Sequence, residues 1–395
     1  MPFAAPASSA LAPDTATFLR DWRPTPLAEA HTFPACMYTD PAVWRLERER
    51  FFARSWLYVG NVEDAPKPNT WFTQTVAGFP LVITRDAAGA LHAFHNACPH
   101  RGAPVASPTN SCGTGAHLVC PYHAWNFDCS GALRGAPGYD RTPGFAADKH
   151  RLGEVRLETW GPFIFVNLAR DAGPLAAQLG DLPARFAGVQ TAGWTRVHRV
   201  DYVTASNWKL YVENNAEYYH EPVVHVSTYK ADQVSWNNAH HLIQAEVAEW
   251  AYLQYSPFPA DSRERRGDFA PGTSKTDMDQ RWHEGSSIIS FWPNFAWILQ
   301  PNVLIIYLID PQGPDRTRIR WDWLVPNTPE AKAPENLEPL IRLYDRVQVE
   351  DLELLPQVQA VADSPGYVAG PLYPKKELGV HRFQELLMDH LTGRR

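Results

Sequence analysis

The chain has 395 residues, of which 45% are hydrophobic and 20% charged, proportions typical of a soluble globular protein with room for two domains. A formal net charge of -7 and the lack of any Lys/Arg run argue against a nucleic-acid partner, and no stretch of about 18 apolar residues predicts a membrane span. Residues 1–20 lack the features of a signal peptide and the 5 cysteines are an odd number, which favours a reducing, cytoplasmic location.

The N-terminal region predicts an arm followed by a helix. Residues 1–37 are rich in Ala, Pro and Thr, which favours an arm lying over the body of the protein. Asp40 is a candidate N-cap and Pro41 suits the first helical position, so we expect a helix that runs to about Arg54.

Short strands and turns follow over residues 71–168. Two apolar runs, 81–84 and 91–94, are joined by a turn sequence and predict a hairpin. The run 162–166 predicts a short buried strand. We therefore expect residues 38–170 to form a small all-β domain.

A connection rich in Gly, Ala and Pro at residues 170–193 leads into a second domain, at 171–395. Its predicted helices are 207–221, 336–355 and 378–391, and its predicted strands are 197–203, 246–255, 287–292, a pair within 295–309, and 317–325. This pattern predicts an α+β fold, in which an antiparallel sheet carries helices on one side.

Two pairs of candidate metal ligands lie in the first domain. Cys98-x-His100 is followed, after nineteen residues, by Cys120-x2-His123. A structural zinc site of two Cys and two His is one interpretation, but zinc sites usually space each pair by two to four residues, and Cys-x-His is tighter. The spacing is instead typical of a Rieske [2Fe–2S] cluster, in which two cysteines hold one iron and two histidines the other.

A second cluster of candidate ligands lies near the start of the second domain. His220 and His225 are five residues apart, which on a continuous helix would rotate them about 140° from each other. Pro222 is expected to stop the helix near His220, so that both imidazoles can approach one ion. Glu213, Glu217 and His220 are expected to share a helix face.

A carboxylate would complete this cluster as the facial triad of a non-haem Fe(II) oxygenase, which leaves positions open for O2. Asp351 lies in the middle of a predicted apolar helix stripe, and an interior carboxylate is costly unless it meets a cation. The stripe consists of Leu340, Tyr344, Val347, Asp351, Leu354 and Val358, with Pro356 as a possible end of the helix. Asp351 is therefore the expected third ligand, with Glu350 as the alternative. An ion pair between Asp351 and an arginine remains the other interpretation.

Taken together, these motifs resemble those of the Rieske non-haem iron oxygenases, the ring-hydroxylating oxygenase α-subunit family. The resemblance rests on segments typical of that family, namely the loops that start at Cys98 and Cys120, Asn207-Trp208-Lys209, and Glu217-x2-His220-x4-His225. One departure is Ala124, which stands where the family usually has Gly. The resemblance implies a Rieske domain at 38–170 and a helix-grip-like catalytic domain at 171–395.

The same resemblance implies the assembly and the electron supply. His123 of one subunit would meet Glu217 of the next in a homotrimer, and Glu217 would also orient His220. Many family members have Asp at this bridging place, so Glu217 could instead act as an orienter alone. The chain has no nucleotide-binding glycine motif. Electrons from NAD(P)H would therefore arrive through a separate reductase, with or without a ferredoxin.

The substrate is expected to be small. The resemblance is strongest to the choline, glycine betaine and carnitine monooxygenases, which favours hydroxylation or N-demethylation of a quaternary ammonium compound, and aromatic rings of the predicted sheet could cage its cation. These rings are Trp282, Phe291, Trp292, Phe295, Trp297, Tyr307, Trp321 and Trp323. Taken singly, each ring fits the sheet core or a subunit interface better than a substrate pocket. The alternative reaction is hydroxylation or cis-dihydroxylation of an arene that stacks on the rings.

An electron carrier with no chemistry of its own is a candidate from another functional class. The long region after Arg170 and the pair of histidines at 220 and 225 argue against a carrier. Iron content separates the two, because a carrier would hold about two irons per chain and an oxygenase about three.

Overall fold

A computed structural model describes residues 10–107, 111–139, 142–187, 189, 193–231, 242–257, 285–300 and 303–395, without the side chains of 229–231. The chain forms two compact units: a small one, Phe52–Ala177, and a large one that joins Met1–Phe51 to Gln178–Arg395.

None of the helices in the described part of the chain combines the length and the apolar character that crossing a bilayer demands.

The bounds of the two units differ from the predicted domain boundaries at 37/38 and 170/171. Residues 38–51 lie in the large unit, because the helix Pro41–Arg50 buries Glu47 against Lys209 there. The two charged groups are 2.6 Å apart and fully buried. As predicted, the helix begins at Pro41 with Asp40 as its N-cap, but it ends at Arg50, and a 3-10 turn covers Phe52–Arg54.

The small unit is built from antiparallel strands. In chain order they are β1 (Leu57–Asn61), β2 (Thr70–Val76), β3 (Phe79–Arg85), β4 (Leu91–His95), β5 (Cys112–Thr114), β6 (His117–Val119), β7 (Asn126–Asp128), β8 (Leu133–Gly135), β9 (Glu154–Trp160) and β10 (Phe163–Asn167). Among the described residues one sheet has the order β1-β10-β9-β4-β3-β2-β5 and a second the order β6-β7-β8. The predicted hairpin corresponds to β3 and β4, and the predicted strand at 162–166 to β10.

The large unit contains an antiparallel sheet with the order β11-β17-β16-β15-β14-β13-β12 in the described residues. Its strands are β11 (Trp194–Thr204), β12 (Gln244–Val247), β13 (Ala251–Pro257), β14 (Gly285–Phe291), β15 (Phe295–Gln300), β16 (Val303–Gly313) and β17 (Arg316–Pro326). The single strand predicted at 246–255 is wrong, because a turn at 248–250 divides it into β12 and β13.

The helices of the described chain complete the large unit, apart from one short helix that begins in the small unit. They are α1 (Pro13–Asp21), α2 (Cys36–Thr39), α3 (Pro41–Arg50), α4 (Leu175–Leu179), α5 (Leu182–Arg185), α6 (Trp208–Asn214), α7 (Glu221–Val224), α8 (Val226–Ala231), α9 (Pro329–Lys332), α10 (Pro334–Ala362) and α11 (Leu378–Leu391). Helix α10 packs on the sheet face that carries Tyr307 and Trp321, since Tyr344 contacts Trp323 of the same face. The prediction of a small all-β domain and an α+β domain with an antiparallel sheet is confirmed.

The predicted helix at 207–221 is wrong in its length. Helix α6 has Asn207 as its N-cap, with Asn207 Oδ1 accepting from the Lys209 backbone N–H, but it ends at Asn214. A new short helix, α7, then begins at Glu221. Pro222 occupies one of the first positions of α7, where a missing N–H costs nothing. Pro222 therefore starts a helix, whereas we expected it to end one.

The predicted helix at 336–355 is too short. Helix α10 runs to Ala362 with Pro356 in its interior, so Pro356 does not end the helix. Leu354, predicted for the buried stripe, is 36% exposed, and Leu355 is buried in its place. The predicted helix at 378–391 is confirmed as α11 with the same bounds.

Candidate functional site

The four candidate ligands of the small unit lie on two loops with matching backbone hydrogen bonds. Cys98 follows β4 and its N–H donates to the Ala103 carbonyl, while Cys120 follows β6 and its N–H donates to the Trp125 carbonyl. In each loop the fourth residue after the cysteine donates back to the cysteine carbonyl. The two loops are therefore copies of one local structure.

The matching loops show why glycine is the usual residue at position 124. Gly102 and Ala124 occupy equivalent places, and their φ angles are +75° and +57°. Because an L side chain is strained at positive φ, glycine is preferred there. Ala124 thus adopts a conformation that the turn demands at some cost in stability.

The side chains of these loops converge. Cys98 and Cys120 are buried in the hydrophobic core of the small unit, and the rings of His100 and His123 are 4.6 Å apart between centroids. His100 Nδ1 is buried without a hydrogen-bond partner in the described structure. Burial raises the pKa of the Cys98 thiol, which favours its neutral form unless a cation is bound. Two soft thiols, two imidazoles and an orphaned ring nitrogen fit a [2Fe–2S] group of the Rieske type.

The second set of ligands meets in the large unit. His220, His225 and Asp351 each offer a ligand atom, and the three atoms lie within 4.8 Å of one another. Asp351 Oδ1 is 3.5 Å from His220 Nε2 and 3.4 Å from His225 Nε2. The break between α6 and α7 places the histidines before and after a short helix, and α10 supplies the carboxylate. Two imidazoles and one carboxylate on one side of a cavity fit a divalent iron with open positions.

Each imidazole has a carboxylate on its outer nitrogen. Glu217 binds His220 Nδ1, and Glu350 lies 2.9 Å from His225 Nδ1. Glu350 also accepts hydrogen bonds from the Ser227 and Thr228 hydroxyls. These contacts direct the Nε2 atoms of both rings toward Asp351. Glu350, our alternative third ligand, therefore lies on the far side of His225 from the triad.

Electrostatics in the triad favour a bound cation. Burial alone would lower the pKa of His220, but the hydrogen bond with Glu217 and the charges of Glu217, Asp351 and Glu221 raise it to about 9. Burial raises the pKa of Asp351, although the two histidines act in the opposite direction. Burial alone would raise the pKa of Glu350, but its hydrogen bonds lower it overall.

Glu213 does not share a face with Glu217 and His220 at the site, contrary to the prediction. The helix α6 ends before Glu217, and the Glu213 carboxylate accepts hydrogen bonds from Tyr38 and Gln384. Burial raises the pKa of Glu213 to about 7. Glu213 is thus part of the buried support of the site.

A cavity of about 80 Å³ lies beside the triad. Of the aromatic rings predicted to surround a substrate, Tyr307 and Trp321 line the cavity and stack with centroids 4.4 Å apart. The other described rings of that set are buried but are not part of the lining, namely Phe291, Trp292, Phe295, Trp297 and Trp323. Trp282 lies outside the described residues.

Gln254 and Glu221 are among the cavity residues that the sequence analysis did not identify. Gln254 lines the cavity from β13, and Glu221 lines it from the first position of α7. The alternation of Tyr252, Gln254 and Ser256 along one strand was the signal for a shared face. A polar face on a sheet strand is usually exposed to water, so the alternation alone does not indicate a cavity.

Models of known protein families match both units of the chain. The family model described as the Rieske [2Fe-2S] domain matches residues 55–146, and the one described as the ring hydroxylating alpha subunit (catalytic domain) matches residues 191–393. The carnitine monooxygenase oxygenase subunit of Escherichia coli (strain K12) is 30% identical over 349 residues, which are 86% of this chain and 86% of that protein.

Two further proteins are similar over nearly the whole chain. The glycine betaine monooxygenase oxygenase subunit of Chromohalobacter salexigens is 28% identical over 388 residues, 92% of this chain and 86% of that protein. A solved structure of a quaternary ammonium Rieske monooxygenase involved in carnitine oxidation superposes with a TM-score of 0.77 and 26% identity. The superposition covers 92% of this chain and 96% of the chain in the solved structure.

Proposed function

Because the chain belongs to the ring-hydroxylating oxygenase α-subunit family, with a Rieske domain ahead of the catalytic domain, we propose that it is the terminal oxygenase of a monooxygenase system acting on a small quaternary ammonium substrate. The observation that carries the proposal is the convergence of His220, His225 and Asp351 beside a cavity. A Rieske electron carrier does not require a second metal site of this kind.

The two iron sites are assigned to the residues that fit them. Cys98, His100, Cys120 and His123 would hold the [2Fe–2S] cluster, and His220, His225 and Asp351 would hold the mononuclear Fe(II). When bound, these groups supply single electrons and the reductive activation of O2 that hydroxylation requires.

The residues around the triad position its two histidines. Glu217 and Glu350 accept from the Nδ1 atoms of His220 and His225, which fixes the tautomer in which each Nε2 can bind a metal. Burial of His225 and of Asp351 keeps bulk water away from the reacting centre.

The substrate class follows from the relatives. The similar proteins named above are carnitine, glycine betaine and quaternary ammonium monooxygenases. The stacked aromatic rings of Tyr307 and Trp321 in the cavity wall are suited to a methylated cation. Arene hydroxylation remains the second candidate, because the same rings could stack on an aromatic substrate.

Electron supply and assembly complete the proposal. The family works with a separate reductase, which would deliver electrons from NAD(P)H, with or without a ferredoxin. We propose a cytoplasmic homotrimer in which His123 of one subunit approaches Glu217 of the next. Such a head-to-tail ring would let the cluster of each subunit serve the iron of its neighbour.

Iron content and product analysis test the function. We expect about three irons per chain in the native protein and about two in Asp351→Asn, with the visible spectrum of the cluster unchanged. Reductase-coupled NADH consumption should accompany formaldehyde or a hydroxylated product from a methylammonium compound. Two irons per chain in the native protein would support an electron carrier, and a diol from an arene with no reaction of any ammonium compound would support the second candidate.

A further inference from the structure

Gln348 brings a buried amide to the wall of the cavity beside the triad. It lies on α10 and is 2% exposed. Gln348 precedes Asp351 by three residues, and residues three apart on a helix share a face. A molecule that contacts Gln348 therefore lies within about one helical turn of the carboxylate of the triad.

Tyr211 holds one end of this amide. Tyr211 lies on α6 and is 0% exposed, and its hydroxyl donates to Gln348 Oε1 at 3.2 Å. Burial raises the pKa of Tyr211, so the hydroxyl keeps its proton at neutral pH and can donate it. An amide oxygen accepts a hydrogen bond and an amide nitrogen donates one. The contact with Tyr211 therefore occupies the oxygen and leaves the nitrogen to find an acceptor.

The nitrogen of this amide has no acceptor in the described part of the chain. Gln348 Nε2 is buried there and makes no hydrogen bond. In the other amides of the described cavity wall, the nitrogen donates to an oxygen of the protein. Those bonds run from Asn214 to Asp351, from Asn215 to the Tyr211 carbonyl and from Gln254 to Glu221. A buried donor without a partner is costly, and bulk water does not reach this one. A molecule in the cavity can supply the acceptor.

The described residues of the cavity wall include neither a lysine nor an arginine. An oxygen of a bound molecule therefore meets a neutral donor at Gln348 rather than the side chain of a basic residue. The stacked rings of Tyr307 and Trp321 in the same wall offer apolar faces for methyl groups on an ammonium nitrogen. The wall thus suits a molecule that carries an alkylated ammonium group and an oxygen acceptor.

We propose that Gln348 Nε2 donates a hydrogen bond to an oxygen of the substrate, a hydroxyl or a carboxylate. By this bond the enzyme selects ammonium compounds that carry such an oxygen over those that carry an alkyl group in its place. This inference rests on the proposed function and adds a specificity-determining residue to it.

The experiment compares ammonium compounds with and without this oxygen. Choline is paired with trimethylpropylammonium, which has a methyl group in place of the hydroxyl. Glycine betaine is paired with isobutyltrimethylammonium, which has two methyl groups in place of the carboxylate oxygens. Affinity is measured by titration calorimetry on the iron-loaded oxygenase without reductase. The variant Gln348→Met keeps the length of the side chain and removes the donor. Gln357→Met is the matched control, because Gln357 is exposed on the same helix.

The native protein and Gln357→Met should bind the oxygen-bearing member of a pair more tightly than the alkyl member. The pair that shows the preference identifies the acceptor as a hydroxyl or a carboxylate. Gln348→Met should lose about 3- to 10-fold of a preference for choline, or about 10- to 100-fold of a preference for glycine betaine, because a hydrogen bond to a charged acceptor is stronger. Its affinity for the alkyl member should be nearly unchanged. Iron content and circular dichroism verify that each variant is folded and loaded.

Gln348→Glu is a second variant, which serves if Gln348→Met does not fold. It keeps an oxygen for the Tyr211 hydroxyl and puts an acceptor where the donor was, so the alkyl member should now bind more tightly than the oxygen-bearing one.

Two kinds of outcome would overturn different statements. The role of Gln348 is wrong, and the proposed function stands, if the native protein binds ammonium compounds without favouring an oxygen-bearing member. The same holds if a folded, iron-loaded variant of Gln348 keeps the full preference. If the native protein neither binds nor oxidises choline, glycine betaine or L-carnitine, the proposed substrate class itself is wrong.

Discussion

His225 lies between two neighbouring residues of one helix. Asp351 lies 3.4 Å from its Nε2 atom, and Glu350 lies 2.9 Å from its Nδ1 atom. Consecutive positions of α10 diverge by about 100°, which lets Asp351 reach the interior while Glu350 passes behind the ring. The pair of acids thus sets both the position and the tautomer of one imidazole.

Replacing Glu350 should weaken iron binding without removing a ligand. Glu350→Gln leaves a neutral acceptor for His225 Nδ1–H, so we expect the affinity for Fe(II) to fall about 10- to 100-fold. The measurement is titration of metal-free protein with Fe(II) under anaerobic conditions. The cluster absorbance should be unchanged, and Glu353→Gln, a change at an exposed residue of α10, is the control. Equal Fe(II) affinity in Glu350→Gln and the native protein would contradict the orienting role.

The helix period favours Asp351 over Glu350 as the inward residue. The structure buries Leu340, Tyr344 and Asp351 as that period predicts, but not Leu354. The role of Glu350 could not be predicted, because it depends on Ser227 and Thr228, more than 120 residues away in the chain. Glu221 had no sequence signal of its own either, since its partner Gln254 lies on β13, 33 residues further along the chain.

At the scale of elements, the interruption between α6 and α7 shapes the metal site. Residues 207–221 contain good helix formers, which is why one continuous helix was predicted. The structure interrupts the helix after Asn214, so that Glu217 and His220 lie in an irregular segment. Local propensity does not show this, because contacts with other parts of the fold accompany the interruption: the Ser290 hydroxyl of β14 donates to the Asn215 carbonyl.

Buried Glu213 of α6 should make stability depend on pH. Its pKa is raised from 4.5 to about 7 by burial. The folded protein therefore holds a proton that the unfolded chain releases, and this contribution to stability is lost as pH rises through about 7. Glu213→Gln removes the effect, so its stability should rise relative to the native protein between pH 5 and pH 8, by up to about 3 kcal/mol.

Thermal unfolding of both proteins at several pH values measures this difference. Glu353→Gln, an exposed change of the same type, should show a constant offset. Parallel curves for Glu213→Gln and the native protein would mean that Glu213 is ionised in both folded and unfolded states.

Helix α11 packs against the site through a glycine. A Cβ on Gly379 would lie 2.2 Å from the Ala216 carbonyl oxygen and 2.5 Å from Tyr252 Cδ2. Gly379→Ala should therefore destabilise the protein by about 1–3 kcal/mol, because backbone and ring must both move.

Thermal unfolding of Gly379→Ala, with Gly370→Ala as control, measures the cost. A Cβ at Gly370 would meet no heavy atom within 4 Å. Equal unfolding temperatures for the two variants would show that α11 adjusts freely.

At the scale of the whole molecule, the resemblance in the motifs predicted both domains and the kind of fold. It did not predict that residues 38–51 lie in the large unit. That placement depends on the buried pair of Glu47 and Lys209, which are 162 residues apart in sequence. Hydrophobic periodicity and sequence motifs describe residues that are close along the chain. They therefore give no sign of the ion pair between Glu47 and Lys209.

The proposed trimer predicts complementation between two inactive variants. His123→Ala should lack a working cluster, and Asp351→Asn should lack the mononuclear iron. If electrons cross between subunits, co-expressed mixed trimers should regain part of the native turnover, because some neighbours combine an intact cluster with an intact iron site. Turnover of the mixture no higher than that of each variant alone would mean that transfer stays within one subunit.

The large unit consists of two separate segments of the chain, and this affects how the protein folds during synthesis. Its first segment, up to Phe51, leaves the ribosome before the small unit, and α11 is made well after the small unit. The Arg50 guanidinium donates to the Leu391 carbonyl across 341 residues. The small unit can fold while translation continues. Helix α3 must wait for its partners, which leaves its apolar side exposed to chaperones until α11 has been made.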